Sequence, residues 1–233
     1  FLLESALKLE PDNDLLRVEY IESLRKRQKI EAAHKEVLTL YNSNPDNLHF
    51  ESLYAVLCMQ MGLYEKALEL FDNVLTKVPQ DPVTLTSKGH ALKTCGNTDQ
   101  AIASYRLATK SSSAYGEAWH SLANLKTVKL DENDVSKMLA QINGDDLKFM
   151  DRVYINFSLG KAFEDAGDFD RAFSHYAAGN KAKKAQSRYV AEEMTDEFEQ
   201  QKKLFSDMFI KSLNGCGHSA ADPIFIVGLP RAG

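Results

Sequence analysis

The C-terminal residues carry the pattern in this sequence that most directly indicates chemistry. Residues 224–227 (IFIV) form a short apolar run bounded by turn residues, which is typical of a buried parallel strand. The run leads into a loop, residues 228–233 (GLPRAG), that lacks the spacing of a Walker loop. A strand and glycine loop ahead of a helix bind phosphate through backbone N–H groups, and an arginine adds positive charge. We therefore predict a phosphate-binding loop made by Gly228, Pro230, Arg231 and Gly233.

The cysteines give no comparable pattern. Cys58, Cys95 and Cys216 are far apart and lack CxxC spacing, so we predict neither a disulfide framework nor a metal site. Cys58 and Cys95 fall inside helical patterns and are expected to pack as small apolar residues. Cys216 and His218 form at most half of a metal site, because no second pair of ligands is near in sequence.

A repeat organises the chain upstream of this loop. Three series of residues recur with a step of 34: prolines, alanines, and an aromatic or aliphatic residue four positions after each alanine. The series are Pro11, Pro45 and Pro79; Ala33, Ala67 and Ala101; Val37, Phe71 and Tyr105. Three series with one period predict a stack of similar structural units.

The pattern of each unit predicts two helices. In residues 48–81, Asn47 caps a first helix, Gly62 lies in a turn, and residues 65–77 form a second helix that Pro79 ends. A small residue such as Ala67 is needed where the paired helices cross closely. The fold is therefore predicted to be all-α.

We divide the chain by this pattern into a repeat array over 1–187, a long linker or capping helix over 188–214, and the start of another domain at 222–233. The units of the array are 1–13 (partial), 14–47, 48–81, 82–115, 116–152 (irregular) and 153–186. The irregular unit lacks the expected alanine, and the step from Ala101 to Ala172 is 71 residues. Three extra residues are expected to be absorbed in the loop at 143–146.

The period and the placement of small, glycine, aromatic and proline residues resemble the tetratricopeptide-repeat (TPR) family. This resemblance implies a right-handed superhelix whose groove, lined by the first helices, binds a protein or peptide. The candidate groove residues are hydrogen-bond donors that would suit an acidic or carboxylate-bearing segment; they are Arg25, Lys26, His49, Gln60, His90, Lys93, His120 and Asn124. Neither His90 nor His120 has a nucleophile at a readable spacing, so we predict no catalytic residues. The alternative for the whole set is an ordinary solvated scaffold surface.

Residues 223–233, together with the repeats before them, resemble bacterial TPR-containing sulfotransferases that use 3′-phosphoadenosine 5′-phosphosulfate (PAPS). The resemblance implies that the loop holds the 5′-phosphosulfate and that residues 222–233 begin an α/β sulfotransferase domain. The chain stops before the catalytic base, so we read it as a piece of a longer protein. We expect the piece to bind no cofactor and to catalyse nothing alone, while the parent uses PAPS. Ala232 stands where many members have serine.

Residues 188–214 are predicted to form a helix with an apolar stripe along one side. Met194, Phe198, Phe205, Met208 and Phe209 recur at helical spacing and must pack on another element. If this stripe is exposed, we expect it to permit a homodimer.

Charge and hydropathy exclude other classes. The formal net charge of −5 does not fit a nucleic-acid-binding protein, which needs a basic surface. The sequence contains no apolar run of membrane-spanning length, and we expect a cytoplasmic protein with no membrane or nucleic-acid partner.

Two alternatives to the sulfotransferase hypothesis remain open. One is a stand-alone TPR adaptor whose C-terminal residues resemble the loop by chance. The other is a different phosphate-binding enzyme, such as a nucleoside kinase or an NTPase, fused to the repeats.

Overall fold

A computed structural model describes residues 2–125, 127–144, 146–187 and 189–217. These residues form thirteen helices and no strand, which confirms the all-α prediction for the described part of the chain. Contacts divide the chain into two compact units, Phe1–Ala185 and Gln186–Gly233. None of the described helices is both long and apolar enough to cross a bilayer.

The described residues of the first unit contain eleven helices joined by short loops and turns. Their bounds are α1 Leu2–Leu9, α2 Asp14–Lys26, α3 Ile30–Ser43, α4 Leu48–Gln60, α5 Tyr64–Lys77, α6 Pro82–Thr94, α7 Thr98–Ser111, α8 Gly116–Ala123, α9 Glu132–Ile142, α10 Phe149–Asp165 and α11 Phe169–Gln186, of which the last residue belongs to the second unit. In residues 14–111 each first helix packs against its own second helix and against the second helix of the preceding pair. This packing is the arrangement that the repeat predicted.

The first helices of these pairs begin at side chains that cap them. Asn13 Oδ1 accepts a hydrogen bond from the Leu16 N–H, and Asn47 accepts from the Phe50 N–H. Asp81 accepts from the Thr84 N–H at 2.8 Å. Each cap satisfies an N–H group that has no partner within the helix, and the caps keep the 34-residue step.

The core of the first unit runs along the crossing points of the helix pairs. Ala33, Ala67 and Ala101 are completely buried, and Ala172 is nearly so. A larger side chain at any of them would separate the paired helices. Leu68 packs against both large apolar clusters, so the core continues from one cluster into the next.

The irregular unit departs from the regular pairing. Helix α8 has only eight residues and packs mainly against α10, the first helix of the following pair. A Cβ atom added to Gly116 would lie 2.5 Å from the Asp151 carbonyl oxygen, so this close approach requires glycine. Helix α9 starts at a capping box between Asp131 and Asp134, and it buries Met138 in the shared core.

The second unit corrects one prediction. The expected long helix over 188–214 is two helices, α12 Ala191–Leu204 and α13 Asp207–Ser212. The break occurs because the Ser206 hydroxyl caps α13 by accepting from the Phe209 N–H at 3.3 Å. Residues 222–233, where we predicted the start of a sulfotransferase domain, lie outside the described residues.

The turns within the pairs reveal a strained position. Gly62, Gly96 and Gly167 have φ near +80°, whereas Gln28 occupies the equivalent turn with φ +58°. The left-handed region is unfavourable for residues with a Cβ atom, so Gln28 costs stability that glycine would not cost there.

We predict that Gln28→Gly raises the free energy of unfolding by about 0.5–1 kcal/mol, because relief of the left-handed strain outweighs the entropy of the added glycine. The matched reverse change, Gly62→Gln, should lower it by a similar amount, about 0.5–1 kcal/mol, because the left-handed strain outweighs the entropy that is gained. No atom lies within 4 Å of a Cβ added to Gly62, so its cost would come from the backbone alone. Urea denaturation followed by circular dichroism measures both changes. A less stable Gln28→Gly variant would contradict the prediction.

Candidate interaction face

The candidate site is the surface formed by the outward side chains of α2, α4, α6, α8 and α10, which we call the first-helix face. Successive helices of this series lie side by side from α4 to α10. Between α2 and α4 the contact is a side-chain hydrogen bond, from Arg25 Nε to Gln60 Oε1 at 3.3 Å. Arg25 also pairs with Glu22 at 2.5 Å, so part of its positive charge is compensated.

His90 on this face is held by a tyrosine from the second helix of its pair. A Cβ atom at Gly89 would lie 2.4 Å from the Tyr105 ring, so glycine allows the ring to lie directly on α6. The Tyr105 hydroxyl is thereby placed 2.9 Å from His90 Nδ1. Gly160 and Tyr176, each 71 residues later, repeat this arrangement on α10 and α11.

Glu117 on α8 connects His90 to the next unit. Its Oε1 lies 3.5 Å from His90 Nε2, and its Oε2 accepts a hydrogen bond from the Tyr115 hydroxyl at 2.8 Å. The interaction with His90 is the main cause that lowers the pKa of Glu117, and burial opposes it. Glu117 is therefore an ionised carboxylate on a face for which we had predicted mainly donors.

The tyrosines around Glu117 stay protonated at neutral pH. Burial is the main cause that raises the pKa of Tyr105 to about 12, and Glu117 adds to it. Burial, and then the hydrogen bond to Glu117, also raises the pKa of Tyr115. These hydroxyls are therefore neutral; Tyr115 donates to Glu117, and Tyr105 forms a hydrogen bond with His90.

His120 lies one turn further along α8, among aromatic residues of α10. Its ring centroid is 5.0 Å from that of Tyr154 and 6.3 Å from that of Phe157. Asn124 Nδ2 approaches its imidazole at 3.1 Å. Burial lowers the pKa of His120, although Glu117 partly opposes this effect. His120 therefore tends to be neutral, and it adds little positive charge to the face.

The structure brings together only some of the predicted groove residues. Arg25 with Gln60, and His120 with Asn124, form direct contacts, and His90 joins the cluster of Glu117. Lys26, His49 and Lys93 are exposed side chains. The predicted phosphate-binding residues, Gly228, Pro230, Arg231 and Gly233, lie outside the described residues.

Several residues of the face were missed at the sequence level. Phe157 and Lys161 occupy, in α10, the repeat positions that His120 and Asn124 occupy in α8, but the irregular unit shifts the spacing to 37. Aligning α10 on α6 with the step of 71 residues identifies both, because Phe157 and Lys161 then fall at the positions equivalent to Thr86 and His90. Glu117 was not predicted because only hydrogen-bond donors were considered as groove residues, and an ionised carboxylate is an acceptor.

The possible metal ligands and the cysteine thiols of the described residues offer little basis for metal or nucleophile chemistry. The described residues contain no group of three or more histidine, cysteine or acidic side chains arranged to hold a metal ion. Cys58 is buried, as predicted, and burial raises the pKa of its thiol, which weakens it as a nucleophile. Cys95 is exposed at the C-terminal end of α6, so its predicted packing role is wrong.

Comparison with known proteins identifies the repeats. Two family models described as tetratricopeptide repeat match residues 21–82 and 84–115. An uncharacterised protein of Aquifex aeolicus (strain VF5) is 22% identical over 206 residues. The match covers 88% of this chain and 26% of that protein, so the chain spans about a quarter of the length of this relative.

Solved structures share the fold. PilW, described as a widely conserved type IV pilus biogenesis factor, superposes with a TM-score of 0.53 and 17% identity, covering 91% of this chain and 87% of that one. BtubC from P. vanneervenii gives a TM-score of 0.54 and 15% identity, covering 81% and 89%. The helix pairs and their buried alanines agree with these matches: residues 21–82 and 84–115 match the tetratricopeptide repeat.

Proposed function

We propose that this chain is a protein-interaction scaffold whose first-helix face binds an extended segment of a partner protein. The observation that carries the proposal is the continuity of this face, on which side chains of neighbouring units meet. Arg25 contacts Gln60 between one pair of helices, and His90 approaches Glu117 between another. Stacked helix pairs present such extended surfaces to their partners.

Exposed polar side chains along the face support this function. Lys26, Gln60 and Lys93 are exposed. The cation of Arg25 is matched by Glu22. Further along the face, Glu117 adds a carboxylate that His90 and Tyr115 hold, close to a His120 whose pKa is lowered by burial. The mixture of charges favours a polar partner segment of mixed charge over the purely acidic segment expected from the predicted donors.

A peptide-display selection tests this function. We predict that the chain enriches peptides whose affinity falls by about tenfold or more in Lys93→Glu, because the change reverses a charge on the first-helix face. Lys110→Glu makes the same change at an exposed position on the second helix α7 and should leave affinity unchanged. Isothermal titration calorimetry measures the affinities. Peptides that bind both variants equally, or a selection that enriches none, would contradict the proposed function.

A second candidate function rests on residues 223–233, together with the repeats before them. We propose that the complete gene product is a PAPS-dependent sulfotransferase, in which the repeats position a protein or peptide acceptor. The pattern of an apolar run, a glycine loop and Arg231 supports this candidate. The stand-alone adaptor needs no such loop and accounts equally well for the repeats.

Titration of the complete gene product with the desulfated nucleotide tests this candidate. We expect saturable binding that is lost in Arg231→Ala, because the arginine supplies charge to the loop. Arg27→Ala, an exposed arginine in the repeats, serves as the matched control and should bind normally. An absence of binding, or equal binding by the two variants, would favour the adaptor.

We also propose that α12 and α13 can join two copies of the chain. Phe198 is 55% exposed and Phe205 is 59% exposed, and both lie on the apolar stripe. Burying such side chains against a second copy would be favourable. Sedimentation velocity should show concentration-dependent dimers that Phe198→Ser with Phe205→Ser abolishes. A monomer at every concentration would refute the dimer.

A further inference from the structure

A small pocket opens on the first-helix face between α8, α10 and α11. It has a volume of about 230 Å³ and is lined by His120, Ala123, Asn124, Phe157, Lys161 and Tyr176. Sites for small-molecule ligands usually enclose roughly 300–1,000 Å³. This pocket therefore has the size to accept one side chain of a bound segment, not a complete cofactor.

The walls of the pocket are rigid aromatic rings. Tyr176 lies flat on α10 because Gly160 has no Cβ atom, which would be 2.6 Å from the ring. The Tyr176 hydroxyl donates a hydrogen bond to Glu164 at 2.7 Å, which fixes the far end of the ring. The Phe157 centroid is 6.4 Å from that of Tyr176 and 6.3 Å from that of His120. An aromatic guest could make offset or edge contacts with all three rings.

The charges around the pocket disfavour an acidic guest. Lys161, the cation in its lining, forms an ion pair with Asp165 on the same helix. The carboxylate of Glu164 accepts the hydrogen bond from Tyr176 and adds negative charge near the pocket. Burial lowers the pKa of His120, which favours its neutral form. The remaining polar group, the exposed side-chain amide of Asn124, is uncharged. An acidic side chain would lose hydration here without gaining an unpaired cation.

We propose that this pocket is an anchor site that takes one neutral aromatic side chain of the partner segment. The inference rests on the proposed scaffold function and adds to it the residue type that the partner presents. Three ring walls, a single-side-chain volume and a neutral amide rim fit phenylalanine or tyrosine. The pocket lies beside Glu117, so the rest of the segment would continue over the polar part of the face.

The test uses blocked amino acids as probes of the complete chain. The N-acetyl amides of phenylalanine, tyrosine, leucine and glutamate are titrated separately and followed by saturation-transfer NMR and by shifts of the Asn124 side-chain amide. We expect the two aromatic amides to bind in preference to leucine and glutamate. Asn124→Trp places a ring over the mouth of the pocket from an exposed position and should weaken aromatic binding by about tenfold or more.

Two further variants keep the result interpretable. Lys110→Trp adds the same bulk at an exposed site on α7 and should leave binding unchanged, whereas Phe157→Ala removes a wall and should weaken binding as Asn124→Trp does. The anchor site would be overturned by any of three results: the glutamate or leucine amide binds as tightly as the aromatic amides, no probe binds, or Asn124→Trp leaves aromatic binding unaffected. If the anchor site fails but selected peptides still depend on Lys93, the scaffold function stands. If the aromatic amides bind as expected but the peptide selection enriches nothing, the pocket remains a binding site and the scaffold function fails.

Discussion

The close crossing of paired helices at a small residue is the constraint on which the rest of the structure depends. Ala33, Ala67 and Ala101 are completely buried and Ala172 is nearly so, and a larger side chain there would overpack the core. Because no pair buries its apolar surface alone, each pair is stable only against its neighbours. The first-helix face is a consequence of this stacking, since the same packing that fills the core aligns the outer sides of α2, α4, α6, α8 and α10.

The features that could be predicted from the sequence are those set by local rules that recur. The caps at Asn47 and Asp81, the turn at Gly62 and the buried alanines each follow from one or a few neighbouring residues, and repetition made the pattern recognisable. Gln28 shows the limit of this reasoning. The turn keeps its left-handed geometry without glycine, at a cost in strain.

Of the remaining features, one depends on a local cap and the others depend on contacts between residues far apart in sequence. The helix break at Ser206 follows from a hydroxyl cap that competes with an otherwise continuous apolar pattern. The cluster around Glu117 joins residues from three successive helices and the loop before α8, and no periodicity encodes which of them meet. The neutral state of His120 likewise results from burial among rings, so its residue type alone suggested a cationic donor that the surroundings do not favour.

The contact between Gly116 and the backbone of Asp151 has a mechanical consequence. A hydrogen bond from the Gly116 N–H to the Asp151 carboxylate, 2.8 Å long, reinforces a contact that already brings two backbones together. We therefore expect helices α8 and α10 to move together, and bending of the first unit to be concentrated among the earlier pairs, whose first helices make fewer contacts with each other. If a partner requires a changed curvature, we expect residues 14–111 to supply it and the surface around His120 to keep its shape.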